Sequence, residues 1–465
     1  MRKGVLALIA IAGITLSGCG ITDMIANSIY KTEPEPIADI ATLGFVPNFE
    51  YEYTQQTPSV ITDRIGYIPS GKKVIYIKGN DLDKHYKLVS SDGEETVFEG
   101  KLRKVSGDEK SKDGEKDLYI GDFSEFNQSG EFRIYQSDVG YSHKIHINNT
   151  CYSSIYSSCY DTIVDAEYMH TDALVYTLSN LIFTKEIYSN ARTNDAFIKG
   201  GIEVLLGQQH PRLGALYKEL QDEQTLNTIA EELKNPMSAT IKTDEMISPS
   251  ATAQFAGLMA QYYHEYREAE PELAITALRA GGRAYNYMER YRDEVSADSL
   301  YYAAAQLYRA TGESKYRNAI AEYDNIEESK RDISKYDFTM LGDVAYLGSA
   351  YKTDYIRCEN LMQSYRGNAA KISESATRQT YYVQPDIKDL SEDEILRNMM
   401  TLGLVSYILS GREYASVQSN YLHYLFGLNG DMANYFVTPM EDGGMPLSTD
   451  IVGLSRLIFI LGNGE

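Results

Sequence analysis

Residues 248–316 read SPSATAQFAGLMAQYYHEYREAEPELAITALRAGGRAYNYMERYRDEVSADSLYYAAAQLYRATGESKY, apolar helical faces alternating with short turns. Phe255, Met259 and Tyr263 recur at i, i+4, i+8, as do Leu300, Ala304 and Tyr308. That spacing predicts one buried stripe per helix and consecutive antiparallel helical hairpins. Ser248 followed by Pro249 opens the first helix of the stretch, and Gly312 in ATGES supplies the left-handed residue that closes a later one. Turn signals at Gly200-Gly201, Pro236, Pro249, Pro271, Gly312, Gly342 and Gly411 extend the same plan from about Thr150 to the end.

Upstream, residues 49–148 change period. KKVIYIKG, HYKLVSS, ETVFEGKLRKV, KDLYIGDF and GEFRIYQ alternate every second residue and are separated by Gly, Asp, Ser and Asn turns, which predicts a β-sandwich. The run SGDEKSKDGEKD is a charged loop between two strands, explained by solvation alone. His143 and His146 fall near the last strand, where a spacing of three points them to opposite faces.

The first nineteen residues, MRKGVLALIAIAGITLSGC, place two basic residues before an apolar run and then Leu16-Ser17-Gly18-Cys19. This reads as a lipoprotein signal, with Cys19 the lipidated residue and residues 20–48 a tether to the outer face of a bacterial membrane. The 465-residue length allows two or three domains, and a net charge of −22 excludes nucleic acid as a partner, since each phosphate contact needs a cation. Apart from Cys19, the cysteines are Cys151, Cys159 and Cys358. A Cys151–Cys159 disulfide is compatible with an oxidising compartment, and two reduced thiols are equally compatible with the spacing. None has a metal-ligand spacing, no nucleotide or zinc fingerprint occurs, and neither metal nor cofactor is expected. The chain has no Trp but 39 Tyr. Sugar clefts favour large aromatic plates, so tyrosine would have to provide any stacking platform.

Several segments resemble glycoside hydrolase family 9. SATAQFAGLMAQYYHEY, LRAGGRAYNYM and YYAAAQLYRATGESKY are similar to its helices, FIKGGIEVLLGQQHPRLGALYKEL to a helix and turn that it shares, and NYLHYLFGLN to its "dYllGxNp" segment. DRIGYIPSGKKVIYI and GDFSEFNQSGEFRIYQSDVGYSHKIHI are similar to the immunoglobulin-like domain that precedes many of its catalytic domains. The resemblance implies an immunoglobulin-like sandwich over residues 49–148 and an (α/α)6 barrel over 150–465, acting on β-linked glucan or a related oligosaccharide with inversion at the anomeric carbon.

Inversion needs a carboxylate that activates water and a carboxylic acid that protonates the leaving oxygen, about 6.5–9.5 Å apart. The family's base motif, W-[YH]-D-A-G-D-Y-G-K-Y, is matched by Tyr160-Asp161-Thr162-Ile163-Val164-Asp165-Ala166-Glu167-Tyr168. Asp161 matches the first motif aspartate. The base position falls on Val164 without a gap and on Asp165 if the turn is one residue longer, and Ile163 stands where the family has a turn glycine. The resemblance makes Glu441, which precedes the last helix, the acid, and Tyr160, Glu167, Tyr168 and His170 the lining of the same mouth. The family's "HHR" element, which holds the sugar beside the scissile bond, has no counterpart between Asn429 and Glu441. His210 and Arg212 read as turn residues, and His264 and Glu265 as a helical surface. Three functions stay open: a surface-anchored inverting hydrolase, a noncatalytic glycan- or protein-binding protein of the same fold, or a purely structural part of an envelope assembly.

Overall fold

The computed structural model describes residues 58–105, 116–188, 191–234, 243–409, 412–432, 434–436 and 450–462. Its contacts divide the chain into two compact units. One runs from Val164 to Ser364; the other joins the sandwich and the chain up to Ile163 with the chain from Tyr365 onward.

The sandwich comprises β1 (Val60–Ile61), β2 (Val74–Gly79), β3 (His85–Ser90), β4 (Thr96–Lys104), β5 (Asp117–Asp122), β6 (Gly130–Gln136), β7 (Gly140–Tyr141) and β8 (Ile145–Ile147). Strand order is β1-β2-β5-β4-β3-β6-β7, with β8 also on β6. β4 serves two sheets: Thr96–Lys101 pair with β3, and Leu102–Lys104 pair with β5. The period-two alternation sends Ile75, Ile77, Leu88, Leu102, Phe132, Ile134, Ile145 and Ile147 into one core with Tyr67, Tyr86 and Phe123. Gly100 is required by close approach, because a Cβ there would lie 2.3 Å from Tyr86 Cζ.

The helices are α1 (Ser153–Asp165), α2 (Thr171–Ile187), α3 (Asp195–Gly207), α4 (Glu223–Glu232), α5 (Pro249–Tyr266), α6 (Pro271–Met288), α7 (Ala297–Thr311), α8 (Ser314–Asp324), α9 (Thr339–Leu347), α10 (Tyr355–Thr377), α11 (Glu392–Leu409), α12 (Arg412–Leu425) and α13 (Ile451–Gly462). They build the (α/α)6 fold by alternation. α2, α5, α7 and α9 are buried along most of their length and pack consecutively on one another, whereas α3, α6 and α8 bury one face only. In the other unit α13 is buried on nearly every side and packs on α11, which also packs on α12.

A single apolar stripe was too narrow an expectation for the inner helices. Thr252, Gln254, Gly257 and Gln261 of α5 are buried together with Phe255 and Met259, while Tyr263 is only half-buried. An inner helix meets two inner neighbours and an outer one, so its buried surface takes in small and polar residues as well as the stripe. A Cβ on Gly257 would lie 2.3 Å from Tyr302 Cε1, so glycine sets the α5–α7 distance. The terminators follow the sequence: Ser248 Oγ accepts the Ala251 N–H at 3.1 Å, and Gly312 closes α7 at φ +72°.

Candidate functional site

Local hydrogen bonds define which ends of the inner helices lie together in the unit from Val164 to Ser364. The starts of α2 and α5 are joined through one segment. Thr171 Oγ1 donates to the Tyr217 carbonyl, and Thr252 Oγ1 accepts the Leu216 N–H. Gln254 Nε2 donates to Ser299 Oγ at the start of α7, and Asp298 accepts from the Ser334 and Phe338 N–H groups ahead of α9. The other ends of the same helices carry Glu186, Glu265 and Arg309. One end of this bundle is therefore tied by polar hydrogen bonds that include a carboxylate, and the opposite end carries the buried Arg309–Glu186 ion pair.

The segment expected to carry the base belongs to the first end. Residues 153–165 form α1, so the stretch from Tyr160 to Asp165 is helix and not the glycine-shaped turn of the family motif. Ile163 explains the difference: its β-branched side chain resists positive φ, and it is fully buried on the helix's inner face. Asp161, Val164 and Asp165 point to solvent, as do Glu167 and His170, whereas Tyr160 is 8% exposed and packs on Tyr156 at 5.4 Å. Tyr168 is half-buried beside Phe197, and burial pushes its hydroxyl well above the usual phenol range. His170 precedes the first turn of α2. Leu220 N–H donates to the Met169 carbonyl at 2.9 Å and Thr171 N–H to the Lys218 carbonyl at 3.0 Å, which pins the entry to α2. The structure thus gathers Asp161, Asp165, Glu167 and His170 along one exposed helix end and its connection. Glu441 and Cys19 lie outside the described residues.

No disulfide joins Cys151 to Cys159. Both are fully buried thiols, and burial raises the Cys159 pKa, as an apolar surrounding does to any group that would have to become charged.

At the opposite end, the reading of His264 and Glu265 as surface residues is corrected. Arg309, 1% exposed, pairs bidentately with Glu186 and donates to Gln306 Oε1 at 2.7 Å. The Arg309 guanidinium and burial push His264 down to about 2, which keeps it neutral. Burial, with Glu186 adding repulsion, raises Glu265 to about 7. His210 does fill its turn, its Nδ1 accepting the Arg212 and Leu213 N–H groups at 3.2 and 3.1 Å.

The sequence did not point to a second carboxylate pair, at the starts of α11 and α13. A Cβ on Gly453 would lie 3.0 Å from Asp450 Oδ2 and 3.2 Å from Glu392 Oε1, so the two acids converge on the bare face of this glycine. Glu392 Oε1 is buried with no hydrogen-bond partner among the described residues. Burial first, then Asp450 and Asp393, raise the Glu392 pKa. The fully buried Arg456 pairs with Asp393 alongside. Glu392 and Asp450 are far apart in sequence, and no local pattern marks their approach.

A sandwich followed by alternating buried and half-buried helices is the architecture of a sandwich joined to an (α/α)6 domain, and comparison with known proteins gives the family. The profile of glycosyl hydrolase family 9 matches residues 174–442, and that of the cellulase N-terminal ig-like domain matches residues 55–140. The chain belongs to glycosyl hydrolase family 9. The family match begins inside α2, after the Tyr160–Tyr168 segment, and it includes Glu441.

Similar solved structures include a GH9 protein of Bacteroides ovatus, with TM-score 0.66 and 14% identity over 87% of this chain and 99% of that one. A metagenome-derived family 9 endoglucanase gives TM-score 0.67 and 15% identity over 87% and 98%. A thermostable endoglucanase mutant from Alicyclobacillus acidocaldarius gives TM-score 0.63 and 16% identity over 82% and 84%. At these identities the likeness establishes the fold. No curated protein matches the chain.

Proposed function

We propose that this protein is a surface-anchored family 9 hydrolase that cleaves β-linked glucan or a related oligosaccharide with inversion. Cys19 carries the lipid that holds it to the outer side of a bacterial membrane. Asp165 activates the attacking water, with Asp161 beside it on the same face, and Glu441 protonates the leaving oxygen. Tyr168, Glu167 and His170 line the approach. The observation that supports this reading is the family match over residues 174–442, a span within which Glu441 falls.

The test is release of reducing ends from a panel of β-glucans and xylans, with Asp165→Ala and Glu441→Ala alongside. Turnover by the parent protein and its loss in both variants support the hydrolase. A second reading, a noncatalytic glycan-binding protein, is favoured by one observation: the family match starts only at Leu174, past the segment that would hold the base. Calorimetric binding of oligosaccharide with no turnover decides for it.

A further inference from the structure

The unit containing the sandwich holds an ionisable pair almost completely removed from water. His423 Nδ1 on α12 lies 2.6 Å from Asp63 Oδ2, and the two side chains are 6% and 0% exposed. Asp63 sits between β1 and β2, and its other oxygen accepts the Ile65 and Gly66 N–H groups at 2.6 and 2.9 Å. The Asp63 N–H donates to the Tyr67 hydroxyl, which donates to the Val74 carbonyl, both at 2.9 Å. An ionised carboxylate only accepts, so His423 carries its hydrogen on Nδ1. The Tyr67 ring lies 5.0 Å from the imidazole, and the Tyr152 hydroxyl 3.3 Å from Nδ1.

Neighbouring contacts continue along the same two segments. Arg64 N–H donates to the Phe426 carbonyl at 2.9 Å, and Lys78 Nζ to the Gly430 carbonyl at 2.7 Å. The Arg64 side chain crosses Gly427, where φ is +110° and a Cβ would come within 2.7 Å of Arg64 Cγ. Around these polar points Leu428 packs against Ile61, Val74, Tyr76, Leu118 and Ile120.

We propose that Asp63 and His423 form a latch by which the sandwich fixes the turn leaving α12, from Phe426 to Gly430, so that the sandwich positions part of the helical domain. The apolar contacts of Leu428 fix no register by themselves, because one apolar surface can slide over another at small cost. A buried, hydrogen-bonded pair of polar groups can be satisfied in one alignment only, and removing either partner strands the other. Asp63 and His423 are in this sense positioning residues. The latch does not depend on catalysis, and it stands or falls separately from the hydrolase reading.

Native-state hydrogen exchange on the full chain tests it. The amides of Arg64, Phe426, Gly427 and Leu428 report the latch, and those of Leu88 and Ile134, paired between β3 and β6, report the sandwich core. In His423→Ala, exchange at the first group is expected to quicken by about 100-fold or more, with the core pair unchanged. Asp63→Asn keeps the acceptor for Ile65 and Gly66 but turns a donor toward Nδ1, and is expected to act in the same direction. His423→Asn, a neutral donor near the Nδ1 position, restores most of the protection, and the Asp63→Ala/His423→Ala double variant is no worse than the worse single one. Equal acceleration of both amide groups, strictly additive effects, or no change in the Phe426–Leu428 amides overturns the proposal.

Discussion

The carboxylates of the two ends of the α2–α5–α7 bundle live under opposite conditions. Glu186 is paired with the buried Arg309 and Glu265 is partly withdrawn from water beside them, whereas Asp161, Asp165 and Glu167, beside the start of α2, stand in solvent with no ion pair among the described residues. The first group is bound into the fold. The second can be altered without touching a packed neighbour, so a functional loss there reads as chemistry and not as misfolding.

The largest effect expected is that of Arg309→Met, which leaves Glu186 buried and unpaired. We expect a loss of about 3–5 kcal/mol in urea unfolding. A loss below about 1 kcal/mol would place Glu186 in water and dissolve the contrast.

Glu265→Gln sharpens it through pH. A carboxyl whose pKa rises from 4.5 in the unfolded chain to about 7 in the fold opposes folding once ionised. Its contribution is most favourable below pH 4.5 and is lost as pH climbs toward about 7. The glutamine variant should match the parent in acid and exceed it by about 2 kcal/mol above neutrality, after allowance for its partial solvation. Melting curves at several pH values check this, and equal stabilities throughout would refute it.

Glu392→Gln should behave alike on a smaller scale, with a gain of about 1 kcal/mol or less at neutral pH, because Glu392 is only partly buried and its charge is screened in part by solvent. The smallest change in stability is expected from Asp161→Asn and Asp165→Asn, within about 0.5 kcal/mol by denaturant unfolding. On the hydrolase reading, Asp165→Asn nevertheless lowers turnover by about 100-fold or more.

The sandwich strands could be read from the sequence because side chains alternate between two faces: Gly130–Gln136 buries Phe132 and Ile134 on one face, while Val74–Gly79 is buried on both, Ile75 and Ile77 in the sandwich core and Val74 and Tyr76 with Leu428. Caps were equally local: Ser248 and Gly312 act within a few residues of themselves. The inner helices were read only in part. Gly257 and Gln261 look like breaks in an apolar stripe until Tyr302 is known to lie across from them, hydrogen-bonded to Gln261 Oε1 at 2.6 Å. His264 and Glu265 were missed for the same reason, since the charges that act on them, Arg309 and Glu186, lie on other helices. Ile163 was informative in a different way. It marked the place where a turn of the family motif has become helix, and the structure gives the cause in its burial. The convergence of Glu392 with Asp450 left no sequence signature, because nothing local distinguishes two first-turn acids from two acids that face each other.

The most direct measurement of the central claim is the anomeric form of the first product, followed by proton NMR as a short β-linked glucan is cleaved. An inverting pair at this site predicts that the α-anomer appears first and then mutarotates, with no product from Asp165→Asn. A β-anomer appearing first, or oligosaccharide that binds and is never cleaved, contradicts it.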